Sequence, residues 1–156
     1  MSKKVIICAE ESAVHLKNQI VPFLKEKGYD YTDATDNDHM SYTQVGSVIG
    51  QAISSKAYDF GIVICGSGMG VNLVANRYSG VYCGLCESLH TAKMARTITN
   101  CNVLALGGNI VAYDLAKRMV EAFLDTDFTE GFDSQEAAGL KTYYAEMEQI
   151  NAETHK

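Results

Sequence analysis

The sequence predicts an open, doubly wound α/β layer: a five-stranded parallel sheet with helices on both faces, followed by a long C-terminal helix. Three observations point there. Five short β-like runs alternate with stretches of helical period. Two of those runs are apolar at nearly every position. The tail carries one long helical stripe after the last run. Strand–helix alternation makes consecutive strands parallel, joined by right-handed crossovers, and a strand without polar alternation is one covered on both faces.

In order, the expected strands are KVIICA (Lys4–Ala9), YDYTDA (Tyr29–Ala34), GIVICG (Gly61–Gly66), VYCGLC (Val81–Cys86) and NVLALG (Asn102–Gly107). Ala13, Leu16, Ile20, Phe23 and Leu24 recur at helical spacing after the first strand, and Gly28 ends that helix by accepting a left-handed C-terminal turn. YTQVGSVIGQAISSK, GVNLVANRY, LHTAKMARTI and NIVAYDLAKRMVEAFL supply the later helices. GIVICG and NVLALG are the runs without alternation. The tail reads as a helix over 133–153, with Asp133 or Ser134 as N-cap and Glu136 nearby. Its stripe of Leu140, Tyr143, Tyr144, Met147 and Ile150 is expected at a subunit interface of a homodimer or homotetramer.

At 156 residues, the chain is expected to form a single domain over 1–156. A formal net charge of -6 argues against nucleic acid and against anionic membrane surfaces, which need clustered Lys and Arg. No apolar run reaches membrane-spanning length, and the N-terminal apolar stretch is short for a signal peptide, so a cytoplasmic location is expected. Five cysteines without a secretory context do not suggest a disulfide framework. Cys83 and Cys86 form a C-x-x-C, a spacing used in redox and zinc sites. Here both lie within one strand, three apart and on opposite faces, which favours packing. A metal set of Cys8, Cys65 and Cys86 lacks a histidine at ligand spacing, and no metal or cofactor is expected.

Ligands of open α/β sheets bind beyond the carboxyl ends of the strands. That rule selects Cys8, Ala9, Glu10 and Glu11 after strand one, Cys65 to Gly70 after strand three, Glu87, Ser88 and His90 after strand four, and Gly107, Gly108 and Asn109 after strand five. Of the four histidines, His90 alone reads as near a strand mouth. In ICGSGMG, glycines 66, 68 and 70 let backbone N–H groups converge at a helix start, a nest for an anion. The spacing departs from the dinucleotide fingerprint and lacks the Lys-Ser/Thr of a P-loop. Such a nest suits an enediolate, and a thiol beside it gains thiolate character; Cys65 then serves as general base or nucleophile.

DFGIVICGSGMGVNLVANRYSGVYCGLC, followed by TAKMARTITNCNVLALGGNIVAYDLAKRMVEAFL, resembles the ribose-5-phosphate isomerase B and galactose-6-phosphate isomerase (LacA/LacB) family. The shared features are the cysteine, Gly-Ser-Gly-x-Gly, the Ala-Asn-Arg that follows, and Asn-Val-Leu-x-Leu-Gly. The resemblance implies a Rossmann-like α/β/α sandwich that dimerises, with active sites at the interface, and metal-independent aldose–ketose isomerisation through an enediolate. It implies Cys65 as the base, Ser67 as its assistant, and amides of Gly66, Gly68, Met69 and Gly70 around the substrate. Asn76, Glu10, Glu11, His90, Asn100, Asn109, Phe132 and Glu136 complete the expected substrate-binding set.

The departures fall in functional places. Where the family carries Asp-His after strand one, this chain has Ala9-Glu10. The ring-opening Arg-x-His-Asn reads Arg96-Thr97-Ile98-Thr99, and three phosphate-binding arginine positions fall on Asn109, Phe132 and Glu136. The expected activity is therefore isomerisation of a sugar or sugar phosphate other than ribose 5-phosphate, such as a short or open-chain one that needs no ring opening. Two alternatives are a subunit of a hetero-oligomeric isomerase completed by a paralogous partner, and a non-catalytic sugar-binding protein on the same fold.

Overall fold

The computed structural model describes residues 3–37 and 39–155. Strands β1 (Lys4–Ala9), β2 (Asp30–Asp33), β3 (Phe60–Cys65), β4 (Cys83–Leu85) and β5 (Val103–Gly107) alternate with helices α1 (Val14–Glu26), α2 (Tyr42–Ser54), α3 (Met69–Ala75), α4 (Leu89–Thr97) and α5 (Tyr113–Asp125); α6 (Ser134–Thr154) follows. All strands are parallel, in the order β2-β1-β3-β5-β4. The five-stranded sheet and long final helix expected from the sequence are both present. The two edge strands, β2 and β4, are shorter than the expected runs Tyr29–Ala34 and Val81–Cys86.

Alternation along each strand feeds two cores. Val5, Ile7, Ala9, Ile62, Ile64, Leu104 and Leu106 pack under α1, α4 and α5. Ile6, Cys8, Val63, Cys65, Val103 and Ala105 pack under α2 and α3. Cys83 and Cys86 go to opposite cores, as their spacing requires. The chain leaves β1 for a helix on one face and β3 for a helix on the other. The crevice between the carboxyl ends of those adjacent strands is therefore the switch point where open sheets bind ligands.

Local chemistry ends the helices where the sequence signals it. Gly28 adopts φ 77 just beyond α1. Ser41, Ser88 and Asp133 each close a capping box, the last with Glu136. Arg96 is 6% exposed and braces the amino end of the sheet, donating to the carbonyls of Thr126 and Cys101 and stacking on Phe60.

Helix α6 contains no buried residue. Tyr144 packs on Tyr82 and Phe128, and Asn151 accepts the Gly80 N–H, whereas Tyr143 (69% exposed) and Ile150 (61%) face outward. Among the described residues, no helix is long and apolar enough to cross a membrane.

One ion pair fixes the sheet's thin edge. The buried Lys17 ammonium lies 2.8 Å from Asp33, tying α1 to the end of β2. Burial works to raise the Asp33 carboxyl, but the Lys17 ammonium and the Thr35 donors outweigh it and hold the group below its usual value. A depressed carboxylate stabilises the fold fully above its unfolded-state pKa, and that contribution disappears as pH falls through the folded-state value. Lys17→Met is expected to cost about 2 kcal/mol at pH 7, below the ~3–5 kcal/mol of a fully buried pair because Asp33 keeps some water. In urea titrations the gap to the parent should narrow as pH falls below about 4. An unchanged midpoint at pH 7 would contradict this.

Candidate active site

Strand β3 carries Cys65 to the switch-point crevice, where the side chain is 5% exposed. Gly68 then turns the chain with φ 78 before α3 begins. A Cβ on Gly68 would come within 2.6 Å of Leu85 and 2.9 Å of the Leu106 carbonyl carbon, so the turn is pressed against the neighbouring strands. This fold-back sets the Gly68 N–H on the Cys65 sulfur at 3.2 Å. An N–H donated to sulfur favours thiolate over thiol.

The loop is tied down from the β5 side. Gly108 N–H donates to the Cys65 carbonyl at 2.8 Å, and Asn109 N–H to the Gly66 carbonyl at 3.0 Å. Ser67 Oγ accepts the Met69 N–H at 3.3 Å. Among the described residues, the amides of Ser67 and Gly70 have no protein acceptor, which leaves them available to an oxyanion. Burial pushes the Cys8 and Cys86 thiols up to about 11, and raises Cys83 and Cys101 as well. Those four are protonated thiols at neutral pH.

Polar side chains from the segments that follow β1 and β5 meet the loop at Gly66. A Cβ there would lie 3.0 Å from Ser12 Oγ and 3.2 Å from Asn109 Nδ2. Ser12 Oγ in turn donates to Glu10 Oε2 at 2.6 Å. Glu10 is held by its backbone, which donates to Ile64 and accepts from Ala13, each at 2.8 Å. Glu11 points elsewhere and pairs with exposed His39 at 3.3 Å. Gly70 makes room for the Tyr42 ring, since a Cβ would reach it at 2.7 Å.

The structure gathers Cys65, Gly66, Ser67, Gly68, Met69, Gly70, Glu10 and Asn109 at one mouth. Asn76 sits at the far end of α3, its side chain bonded to both the N–H and carbonyl of Cys83. His90 lies exposed in the first turn of α4, beside edge strand β4. Asn100 precedes β5 and contacts Arg96 at the amino end of the sheet. Phe132 and Glu136 belong to the turn anchored on Thr97 and to the α6 cap, on that same end. Three mouth residues were missed by the sequence reading: Ser12, Tyr42 and His15. His90 is not alone near a mouth, because His15 Nε2 reaches the Gly108 carbonyl at 3.0 Å. All three lie in helical or turn sequence, which gave no signal of which side chains fold back. Among the described residues, no group of three His, Cys, Asp or Glu is arranged to hold a metal ion.

A sequence model described as ribose/galactose isomerase matches residues 5–139. The chain belongs to the ribose/galactose isomerase family. Its reaction class is aldose–ketose isomerisation. The isomerase is 37% identical over 141 residues to a 4-deoxy-4-sulfo-D-erythrose isomerase of Clostridium sp. strain MSTE9, covering 88% of this chain and 89% of the relative. It is 33% identical to a D-erythrulose-4-phosphate isomerase of Pectobacterium atrosepticum, over 92% and 96% of the two chains. A solved ribose-5-phosphate isomerase B of Clostridium thermocellum superposes with a TM-score of 0.86 at 31% identity, over 97% of this isomerase and 99% of that chain.

The loop glycines separate into packing and site roles, and substitution should show it. Gly68→Ala is expected to cost about 2 kcal/mol or more, from its positive φ and the clash with β5. Gly66→Ala meets only the movable ends of Ser12 and Asn109, so stability should change by less than about 1 kcal/mol. Its methyl occupies the space they face, and kcat/KM should fall at least about tenfold. Equal effects of the two substitutions on melting and on turnover would contradict this division.

Proposed function

We propose that this isomerase interconverts an open-chain four-carbon aldose and its ketose, with Cys65 moving the proton between C1 and C2. The observation that carries the reading is the Gly68 N–H on the Cys65 sulfur, beside unpartnered amides at the switch point. Starting from the aldose, the thiolate takes the C2 proton. The C1 oxygen becomes an oxyanion received by the Ser67 and Gly70 amides, and Cys65 returns the proton to C1. Ser67, whose hydroxyl already fixes the Met69 amide, keeps the loop in the receiving conformation.

Chain length supports the substrate class. The relatives at 37% and 33% identity are named for four-carbon sugars with a charged group on C4. A sugar so substituted has no free C4 hydroxyl with which to close a furanose ring, so its carbonyl needs no ring-opening acid. That agrees with Ile98 and Ala9-Glu10 where the resembling family uses ring-opening groups. It also sets ribose 5-phosphate aside as the substrate.

The group at C4 meets a different grip. Asn109, Phe132 and Glu136 replace three arginines, and the Glu136 carboxylate is engaged with the Asp133 N–H in the α6 cap. A phosphate dianion would lose bidentate charge-assisted bonds there. A hydroxyl or a singly charged sulfonate loses less. We therefore expect a preference for substrates without a phosphate at that position. Asn100, Phe132 and Glu136 reach a mouth only from another subunit, and the uncovered Tyr143–Ile150 face of α6 supports assembly with a second copy.

The test is proton NMR in D2O with D-erythrose, D-erythrose 4-phosphate and 4-deoxy-4-sulfo-D-erythrose. Deuterium should enter beside the carbonyl, and Cys65→Ala should reduce that exchange at least about 100-fold with folding intact. Retained exchange in Cys65→Ala, or a clear preference of the isolated chain for the phosphate, would overturn the corresponding part. Inactivity of the isolated chain on all three would favour the paralogous-partner reading. Independently, a chain ending at Thr129 should sediment as a smaller species than the full-length protein, and an unchanged oligomer would remove α6 from the interface.

A further inference from the structure

We infer that Glu10 and Ser12 form the pair that carries the second proton of the reaction, the one passing between the two substrate oxygens. This rests on the reading of Cys65 as the base. Converting an aldose to a ketose moves two protons: one from C2 to C1, and one from the C2 oxygen to the C1 oxygen. Cys65 serves the carbons. The oxygens need a group that both accepts and releases a proton on the same side of the crevice.

The geometry selects this pair. Ser12 Oγ lies 3.0 Å from the point a Gly66 Cβ would occupy, next in sequence to Cys65, and its hydroxyl donates to Glu10 Oε2 at 2.6 Å. That length falls within the roughly 2.5–2.7 Å of a hydroxyl bonded to a carboxylate. A serine hydroxyl alone is too weak a base to take a sugar proton, and the carboxylate behind it supplies the basicity. Other groups are otherwise placed. Glu11 is paired with His39 at the surface, the His15 Nε2 faces the Gly108 carbonyl, and His90 stands at the edge strand. Asn109 Nδ2 shares the space before Gly66 at 3.2 Å, but a carboxamide hydrogen-bonds without transferring protons.

The step balances. The substrate C2–OH proton passes to Ser12 Oγ as Ser12 passes its own to Glu10, and the O2–H electron pair becomes the C2=O π bond while Cys65 protonates C1. The reverse relay, from Glu10 through Ser12, protonates the C1 oxygen. Glu10, Ser12 and Cys65 end as they began.

Glu10→Gln keeps a hydrogen-bond acceptor for Ser12 but cannot relay. In D2O, with the four-carbon aldose of the panel above that turns over fastest, two rates are read: deuterium entering the recovered aldose, and ketose formed. Glu10→Gln should lower ketose formation about 100-fold while exchange falls much less, so exchange per ketose rises at least about tenfold. Ser12→Ala should do the same, and Ser12→Thr, which retains the hydroxyl, should recover most of the conversion. A merely structural role lowers both rates together. An unchanged ratio in Glu10→Gln and Ser12→Ala, with exchange abolished in Cys65→Ala, overturns the pair and leaves the base standing. Exchange surviving in Cys65→Ala overturns the base, and the pair with it.

Discussion

At φ 78, Gly68 turns the chain back against Leu85 and Leu106 and in doing so lays its own N–H on the Cys65 sulfur. The rest of the mouth follows from that turn. It starts α3 on the face opposite α1, which opens the crevice between β1 and β3. It leaves the Ser67 and Gly70 amides pointing at no protein acceptor. It also brings Gly66 under the side chains of Ser12 and Asn109, so that groups from three separate loops meet at one glycine. Cys8, on the neighbouring strand, lies in the core, and burial pushes its thiol up to about 11.

The residues of the expected site are divided between the two ends of the sheet. Cys65, Ser67, Gly70, Glu10 and Ser12 stand at the carboxyl end, whereas Asn100, Phe132 and Glu136 stand at the amino end, around the Arg96 brace and the α6 cap. No motion within a five-stranded sheet brings those ends together. In the proposed assembly a second copy would do so, covering α6, a helix with no buried residue of its own. Chemistry and substrate recognition would then reside on different subunits, which leaves the recognition side free to change while the cysteine loop stays the same.

Much of this was legible in the sequence because it depends on local rules. Period and burial distinguish GIVICG and NVLALG as strands covered on both faces, and Gly28 and Asp133 mark helix ends through backbone chemistry read over a few residues. Cys65 and its glycines were readable because a strand followed by alternate glycines has few physical reasons to exist. Ser12, Tyr42 and His15 were not readable. Their positions depend on side chains from the turn after β1, from α1 and from α2 meeting loops far along the chain, as with the 93-residue separation of His15 and Gly108. Asn76 illustrates the reverse, a polar residue beside the motif whose side chain serves the backbone of β4.

The Cys65 loop is proposed to receive an enediolate of a short open-chain sugar. A crystal structure of the protein with glycerohydroxamate, a planar mimic whose nitrogen and carbonyl carbon stand for C1 and C2 of a four-carbon enediolate, tests this most directly. The N-bound oxygen, in the place of the C1 oxygen, is expected on the Ser67 and Gly70 amides, with the Cys65 sulfur within about 3.5 Å of the nitrogen and carbonyl carbon, the reach of a reacting pair. A hydroxamate bound in the crevice with its reactive end turned away from Cys65 would contradict it.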